Sequence, residues 1–138
     1  MSASQHSISP KTNGTEPALS AINLLQRDLD SGLFKALSEP TRQRIVSVLL
    51  QHGRLSIMQI KAYFPQDRSV VSRHLKFLRE CGLVICTQEG RYSYYELSGS
   101  EIMRKLQSIL GHMQILMRNY YPEQWASFEK QQGEQLAA

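Results

Sequence analysis

At 138 residues the chain has the length of one domain and can bury a sizeable core, and its 41% hydrophobic and 20% charged residues are those of a globular protein. No apolar run approaches the roughly 20 residues of a membrane span, no secretory leader is visible, and the two cysteines, Cys81 and Cys86, are too few for a disulfide scaffold, so free thiols in a reducing cytoplasm are expected. The net charge of +4 sits between Glu39 and Leu97, with nine Lys/Arg against five Asp/Glu, while the rest of the chain balances.

Residues 1–17 are dominated by Ser, Pro, Asn and Gly and are expected to be a flexible tail, because too few apolar groups offset the entropy of ordering them. From Ala18, apolar residues at Ala18, Ile22, Leu25 and Leu29 mark one face of a first helix, broken at Ser31-Gly32. Leu33 to Leu37 forms a helical turn. Pro40 then opens a further helix with Glu39 or Ser38 as its cap, Ile45, Val48 and Leu49 facing inward, and His52-Gly53 as its end.

Ser56 precedes a short helix with Ile57, Ile60 and Tyr63 or Phe64 inward, ended by Pro65. After a tight turn, Asp67 is placed to cap a helix from Arg68 to about Cys81, with Gly82 as its stop. Two short helices joined this way are a helix-turn-helix candidate. Beyond Gly82 the period changes. Leu83 to Gln88 and Arg91 to Leu97 are rich in Val, Ile, Thr and Tyr and flank Glu89-Gly90, which predicts a two-stranded antiparallel hairpin, or wing.

The last large helix starts near Ser100 and carries one stripe at Ile102, Leu106, Ile109, Met113 and Leu116 and a second at Met103, Leu110 and Met117. Two stripes need two neighbours, and a small domain covers one of them. The other, with the first helix, is the expected contact to a second copy of the chain. Pro122 ends this helix, and Glu123 to Leu136 is expected to add a short helix anchored by Trp125 and Phe128. The expected division is a tail at 1–17, a DNA-binding and dimerising domain at 18–119, and a C-terminal extension at 120–138.

Function is read from the helix beginning at Arg68. Val71, Leu75 and Leu78 share its inward face, while Ser69, Ser72, Arg73 and Lys76 share the opposite one. Nothing acidic lies between Asp67 and Glu80, whereas an ordinary solvated face mixes Glu with Lys. Serine hydroxyls alternating with long cations suit a major groove, where hydroxyls approach base edges closely and arginine pairs with guanine. Arg68, in the first turn, is placed for base contact, and Arg79, at the far end, for a phosphate. Arg91 at the hairpin tip, beside Gln88, is placed to reach a minor groove or a flanking phosphate. Tyr92, Tyr94 and Tyr95 are read as strand packing. No Gly-rich phosphate loop, His-Glu-x-x-His pattern or nucleophile elbow is present, so an enzyme is not expected.

The run Leu33-Phe34-Lys35-Ala36-Leu37-Ser38-Glu39-Pro40-Thr41-Arg42, then Val71-Ser72-Arg73-His74-Leu75-Lys76-Phe77-Leu78-Arg79-Glu80-Cys81-Gly82-Leu83-Val84, then Glu89-Gly90-Arg91, resembles the ArsR family of winged-helix repressors. The resemblance covers about residues 33–97. It implies a mainly α winged helix-turn-helix fold, a homodimer held by the first and last helices, operator binding with Arg68 to Lys76 in the major groove, and release by an effector. The chain departs from the family's pattern at Glu39, where many members carry Asp, and at Pro65-Gln66, where the turn usually has Gly and an apolar residue. Members that sense soft metals carry a Cys-x-Cys type cluster on the helix matching Ser56 to Phe64, and none stands here. For the zinc-type site, matching His112 to the later histidine puts the earlier pair on Gly99 and Glu101 and the last acid on Ile115, too few ligands for a tetrahedral site. No metal site and no cofactor are therefore expected, and His112 is read as a packed or interfacial residue. Cys81 and Cys86 offer a redox switch as a minor reading. The alternative function is a winged-helix module that binds protein and has little specific DNA affinity.

Overall fold

The computed structural model describes residues 16–137. Residues 1–15 of the expected tail lie outside that range. Helix α1 (Glu16–Leu29) begins two residues before the predicted start, because Pro17 falls in the first turn, where its missing N–H leaves no bond unmade, and Glu16 suits the positive end of the helix dipole. The elements that follow are α2 (Leu33–Leu37), α3 (Pro40–His52), β1 (Leu55–Ser56), α4 (Ile57–Lys61), α5 (Arg68–Glu80), β2 (Val84–Glu89), β3 (Tyr92–Leu97), α6 (Gly99–Tyr120) and α7 (Pro122–Ala137). They form two compact units, residues 29–107 and the chain ends that flank them.

In the central unit the local signals act as their chemistry dictates. Glu39 is the cap of α3, its carboxylate accepting the Arg42 amide at 2.9 Å, and Pro40 opens the helix. Ser56 caps α4 in a reciprocal box: its hydroxyl accepts the Gln59 amide while the Gln59 side chain accepts the Ser56 amide. Asp67 stands in the cap position of α5, but its side chain makes no capping bond; its carbonyl accepts from Val70 and Val71. At the far end of α5, Gly82 donates to the Arg79 carbonyl and Leu83 to that of Leu78, a Schellman stop closed by the fully buried Leu78 and Leu83.

Three faces meet in the core of this unit. Ile45 and Leu49 come from α3, Ile60 and Phe64 from α4 and the turn after it, and Val71, Leu75 and Leu78 from α5, all buried, with Leu33, Ala36, Leu83 and Val84 completing it. Fully burying each large side chain contributes about 1.5–3 kcal/mol. Phe64 is the inward aromatic, whereas Tyr63 is exposed and stacks on His52 at 4.9 Å.

The predicted two-stranded wing is a three-stranded antiparallel sheet in the order β1-β3-β2. The added strand is only Leu55 and Ser56, paired with Tyr95 and Tyr94; two residues carry no alternation that a sequence could reveal. The hairpin link is also one residue later than predicted. Glu89 still pairs with Tyr92, and Gly90-Arg91 make the turn. Gly90 takes the positive φ of 61° that the first linking residue of a type II′ hairpin needs, so Arg91 stands in the turn itself.

Gly32, ahead of α2, has φ +84°, and a Cβ built there would stand 3.0 Å from the Cys81 Sγ. Gly32→Ala is therefore expected to cost about 2 kcal/mol, chiefly from the left-handed backbone. Urea melts should show Cys81→Ala recovering only the contact part. Full recovery would place the cost in the contact rather than the backbone.

In the other unit, the Asp28 carboxylate accepts from the Ser108 hydroxyl at 2.9 Å and lies 2.7 Å from His112 Nδ1, joining α1 to α6. His112, read from the sequence as packed or interfacial, is thus held against α1 by Asp28. α7, predicted as a short helix, runs 16 residues, with the Trp125 and Phe128 rings tilted against each other at 5.5 Å. Neither α6 nor α7 buries a residue fully: Met103, Leu106, Leu110 and Met113 are all exposed, and Leu110, Met113, Met117, Trp125 and Phe128 line an apolar hollow of about 220 Å³.

Candidate nucleic-acid interface

α5 presents two faces of opposite chemistry. Val71, Leu75 and Leu78 are fully buried, while Arg68, Ser69, Arg73, Lys76 and Arg79 are exposed and Ser72 is half-buried. Among the described residues Arg68, Arg73, Arg79 and Arg91 make no ion pair; Lys76 stands 4.0 Å from Glu80 with both groups open to solvent, a contact of little strength. Gln88 and Arg91 are exposed on the hairpin. Of these eight residues, Arg68 and Ser72 of α5 and Arg91 of the hairpin share one cavity of about 370 Å³, and the other five stand outside it.

Arg42 holds α5 against the preceding helices, a role that spacing alone does not reveal. Its guanidinium donates to the Ala36 carbonyl at 2.7 Å and the Lys35 carbonyl at 3.0 Å, lies 3.4 Å from His74 Nδ1, and stacks over Phe77 with its centre 4.3 Å from the ring. The Ala36 carbonyl at the end of α2, and the Lys35 carbonyl that Ser38 also serves, are thereby bonded by the same planar group that seats two residues of α5. His74 is a structural contact, also 3.8 Å from Glu39. In the turn before α5, the Gln66 amide donates to the Thr41 hydroxyl at 3.2 Å, tying the atypical Pro65-Gln66 segment to α3.

The wing is braced by Arg54, which pairs with Glu89 at 2.7 Å and lies over the Tyr94 ring at 4.3 Å. Tyr92 and Tyr94 share a strand face with rings 6.4 Å apart. Tyr95 faces the other way, opposite Cys86. Burial and the Cys86 thiol push the Tyr95 hydroxyl above its usual value against the pull of Arg79 and Arg68, so at neutral pH it remains a neutral donor. Both cysteines are free and half-buried. Among the described residues no three His, Cys, Asp or Glu side chains converge to hold a metal, and no helix is long and apolar enough to cross a membrane.

The capping carboxylate of Glu39 gives the unit a pH dependence. Burial opposes its charge, but the Arg42 and Thr41 amides and the nearby His74 outweigh burial and hold it below its ordinary value. Its stabilisation is fully present above the usual glutamate pKa of about 4.3 and is lost as pH falls through the lowered value. Glu39→Ala is expected to cost about 1 kcal/mol near neutrality. In thermal melts the gap from wild type should narrow in acid, and a gap independent of pH would remove the carboxylate from the account.

A short helix, a tight turn and an exposed basic helix, followed by a braced hairpin, define a winged helix-turn-helix protein. Residues 39–85 match the bacterial regulatory protein, arsR family. The chain is 46% identical over 74 residues to the HTH-type transcriptional regulator CmtR of Mycobacterium tuberculosis, covering 54% of this chain and 62% of that protein. It is 38% identical over 66 residues to the arsenical resistance operon repressor of Escherichia coli, covering 48% and 56%. The match thus spans less than two thirds of the length of either relative. Among solved structures, an ArsR-like transcriptional regulator from Rhodococcus superposes with a TM-score of 0.58 at 25% identity, covering 76% of this chain and 92% of that one. The chain belongs to the ArsR family of bacterial regulatory proteins.

Proposed function

We propose that this protein is a homodimeric transcriptional repressor that reads an inverted-repeat operator through α5 and is released by an effector or a modification. The observation that carries the reading is the row of exposed cations on α5, opposed among the described residues only by the weak, solvent-open contact of Lys76 with Glu80, and continued by Arg91 on the hairpin. Ser69, Ser72, Arg73 and Lys76 supply base-edge contacts, Arg68 the first-turn contact, and Arg79, Gln88 and Arg91 the contacts to phosphate or minor groove. Membership of the family and likeness to a named operon repressor support the same reading.

Dimerisation is supported by the exposed Met103, Leu106, Leu110 and Met113 of α6 together with Leu19 and Leu24 of α1, large apolar groups that a second copy would cover. Residues 18–119 then act as one DNA-binding and dimerising domain, with two α5 helices set about one DNA turn, roughly 34 Å, apart. Release follows from a shift between two dimer geometries that an effector binds unequally. Cys81 and Cys86, as free thiols, offer oxidation as one route.

Selection from random duplex DNA under reducing conditions tests this. Enrichment of an inverted repeat, bound by a dimer in sedimentation, is the expected result. Absence of any enriched sequence would favour the protein-binding alternative, and loss of binding after thiol oxidation would assign the switch.

A further inference from the structure

The cavity shared by α5 and the wing has a chemistry of its own. Arg68 enters it from the first residue of α5 and Arg91 from the hairpin turn, with Ser56, Ser72, Ser93 and Tyr95 supplying hydroxyls from three different elements. Ile57, Met58 and Tyr92 form the rest of the lining, and no carboxylate is among these residues. Neither arginine is neutralised by an ion pair among the described residues. The Ser56 oxygen accepts the Gln59 amide, which leaves its own proton to give, and the Tyr95 phenol is neutral, its present partner being the weakly bonding Cys86 thiol.

Two guanidinium forks and four hydroxyls, with no fixed negative charge among them, ask for an anion that accepts from several directions. A tetrahedral phosphate does so with each of its oxygens, while a planar carboxylate has two. At about 370 Å³ the space falls in the range of small-molecule sites and holds a phosphate with its attached sugar rather than a bare ion. We propose that this cavity is a phosphate seat, in which Arg68 and Arg91 hold the charge and Ser56, Ser72, Ser93 and Tyr95 orient the oxygens. Where the phosphate belongs to a duplex backbone, the inference rests on the DNA-binding reading, moves Arg68 and Ser72 from base edges to the backbone, and names Ser56, Ser93 and Tyr95 as contacts beyond the eight already identified. Where it belongs to a free nucleotide, that ligand occupies the position of the strand and competes with it directly.

The test pairs wild type with Ser93→Ala/Tyr95→Phe, and with Ser93→Ala alone should the double variant fail to give a native amide spectrum. Thymidine monophosphate and inorganic phosphate are titrated into labelled protein while the Ser93, Tyr95 and Arg68 amides are followed. A selected duplex, or a mixed-sequence duplex where selection enriches none, is then scanned with single neutral methylphosphonates. A backbone phosphate in the seat gives one position per half-site where neutralisation costs wild type about tenfold in affinity and the variant much less. A free ligand gives shifts at those amides that the variant loses. Either result supports the seat and names its source. Duplex binding with no methylphosphonate effect that depends on these side chains, and no nucleotide or phosphate response, overturns the seat and leaves the DNA reading intact. Nucleotide binding without duplex binding keeps the seat and removes the DNA reading. Silence in every arm overturns both.

Discussion

Arg42→Ala is expected to lower stability by about 3 kcal/mol, the largest loss for any surface-reaching side chain of the central unit. Two hydrogen bonds from a charged donor to the Ala36 and Lys35 carbonyls disappear, at roughly 1.5–3 kcal/mol for such bonds, along with a cation–π contact to Phe77 of about 1 kcal/mol. The Ala36 carbonyl left behind in a half-buried position regains water only in part, while the exposed Lys35 carbonyl keeps its bond from Ser38. Arg42→Lys should recover little, because an ammonium cannot donate in two directions and stack at once. Urea denaturation with both variants checks this, and a Lys variant close to wild type would reduce Arg42 to a mere charge. Because the same guanidinium seats His74 and Phe77, the Ala variant should also bind DNA more weakly than its residual folded fraction explains, as α5 loses its brace against α2.

Arg73→Ala carries the second large effect. The side chain is exposed in the middle of the α5 row, makes no ion pair among the described residues, and lies outside the cavity that Arg68, Ser72 and Arg91 line. Stability should change by less than about 0.5 kcal/mol. Affinity for a selected operator should fall by roughly 1–3 kcal/mol, or about 5- to 150-fold, while affinity for unrelated duplex falls far less. Fluorescence anisotropy with both duplexes separates the cases. An equal loss on the two would move Arg73 from base reading to a phosphate contact.

The parts of this fold that chemistry writes locally were legible in the sequence. Pro40 after a capping acid and the Gly82 stop each need only a few consecutive residues, and each stands where predicted; Ser56 was placed before α4, but its reciprocal box with Gln59 went unread. The inward row of Val71, Leu75 and Leu78 was legible for the same reason: period and burial agree. What escaped depends on residues far apart. β1 is two residues long and exists only because Tyr94 and Tyr95, nearly forty positions later, offer an open strand edge. The Asp28 to His112 contact spans 84 positions between α1 and α6. Arg42 could be recognised as part of a resembling motif, but its double donation and its stacking on Phe77 follow from how α2, α3 and α5 meet.

The candidate site divides the same way. Its eight residues were found by asking which helix face lacks acids and which hairpin position projects, and the structure leaves Arg68, Ser69, Arg73, Lys76, Arg79, Gln88 and Arg91 exposed with Ser72 half-buried. Ser56, Ser93 and Tyr95 were not found, since a capping serine and two strand residues read as structural until the sheet brings them beside Arg68. Asp67 is the converse: the residue type suits a cap, yet its carboxylate makes no capping bond and only its carbonyl serves the helix.

The central claim, that the basic face of α5 and the hairpin bind duplex DNA, is met most directly by the salt dependence of that binding. The observed association constant of wild type for the selected duplex should fall steeply on a log–log plot against salt, and Arg91→Gln should lower the magnitude of the slope by about one per protein–phosphate contact removed. A flat salt dependence, or a slope untouched by Arg91→Gln and by Arg79→Gln alike, would contradict the account.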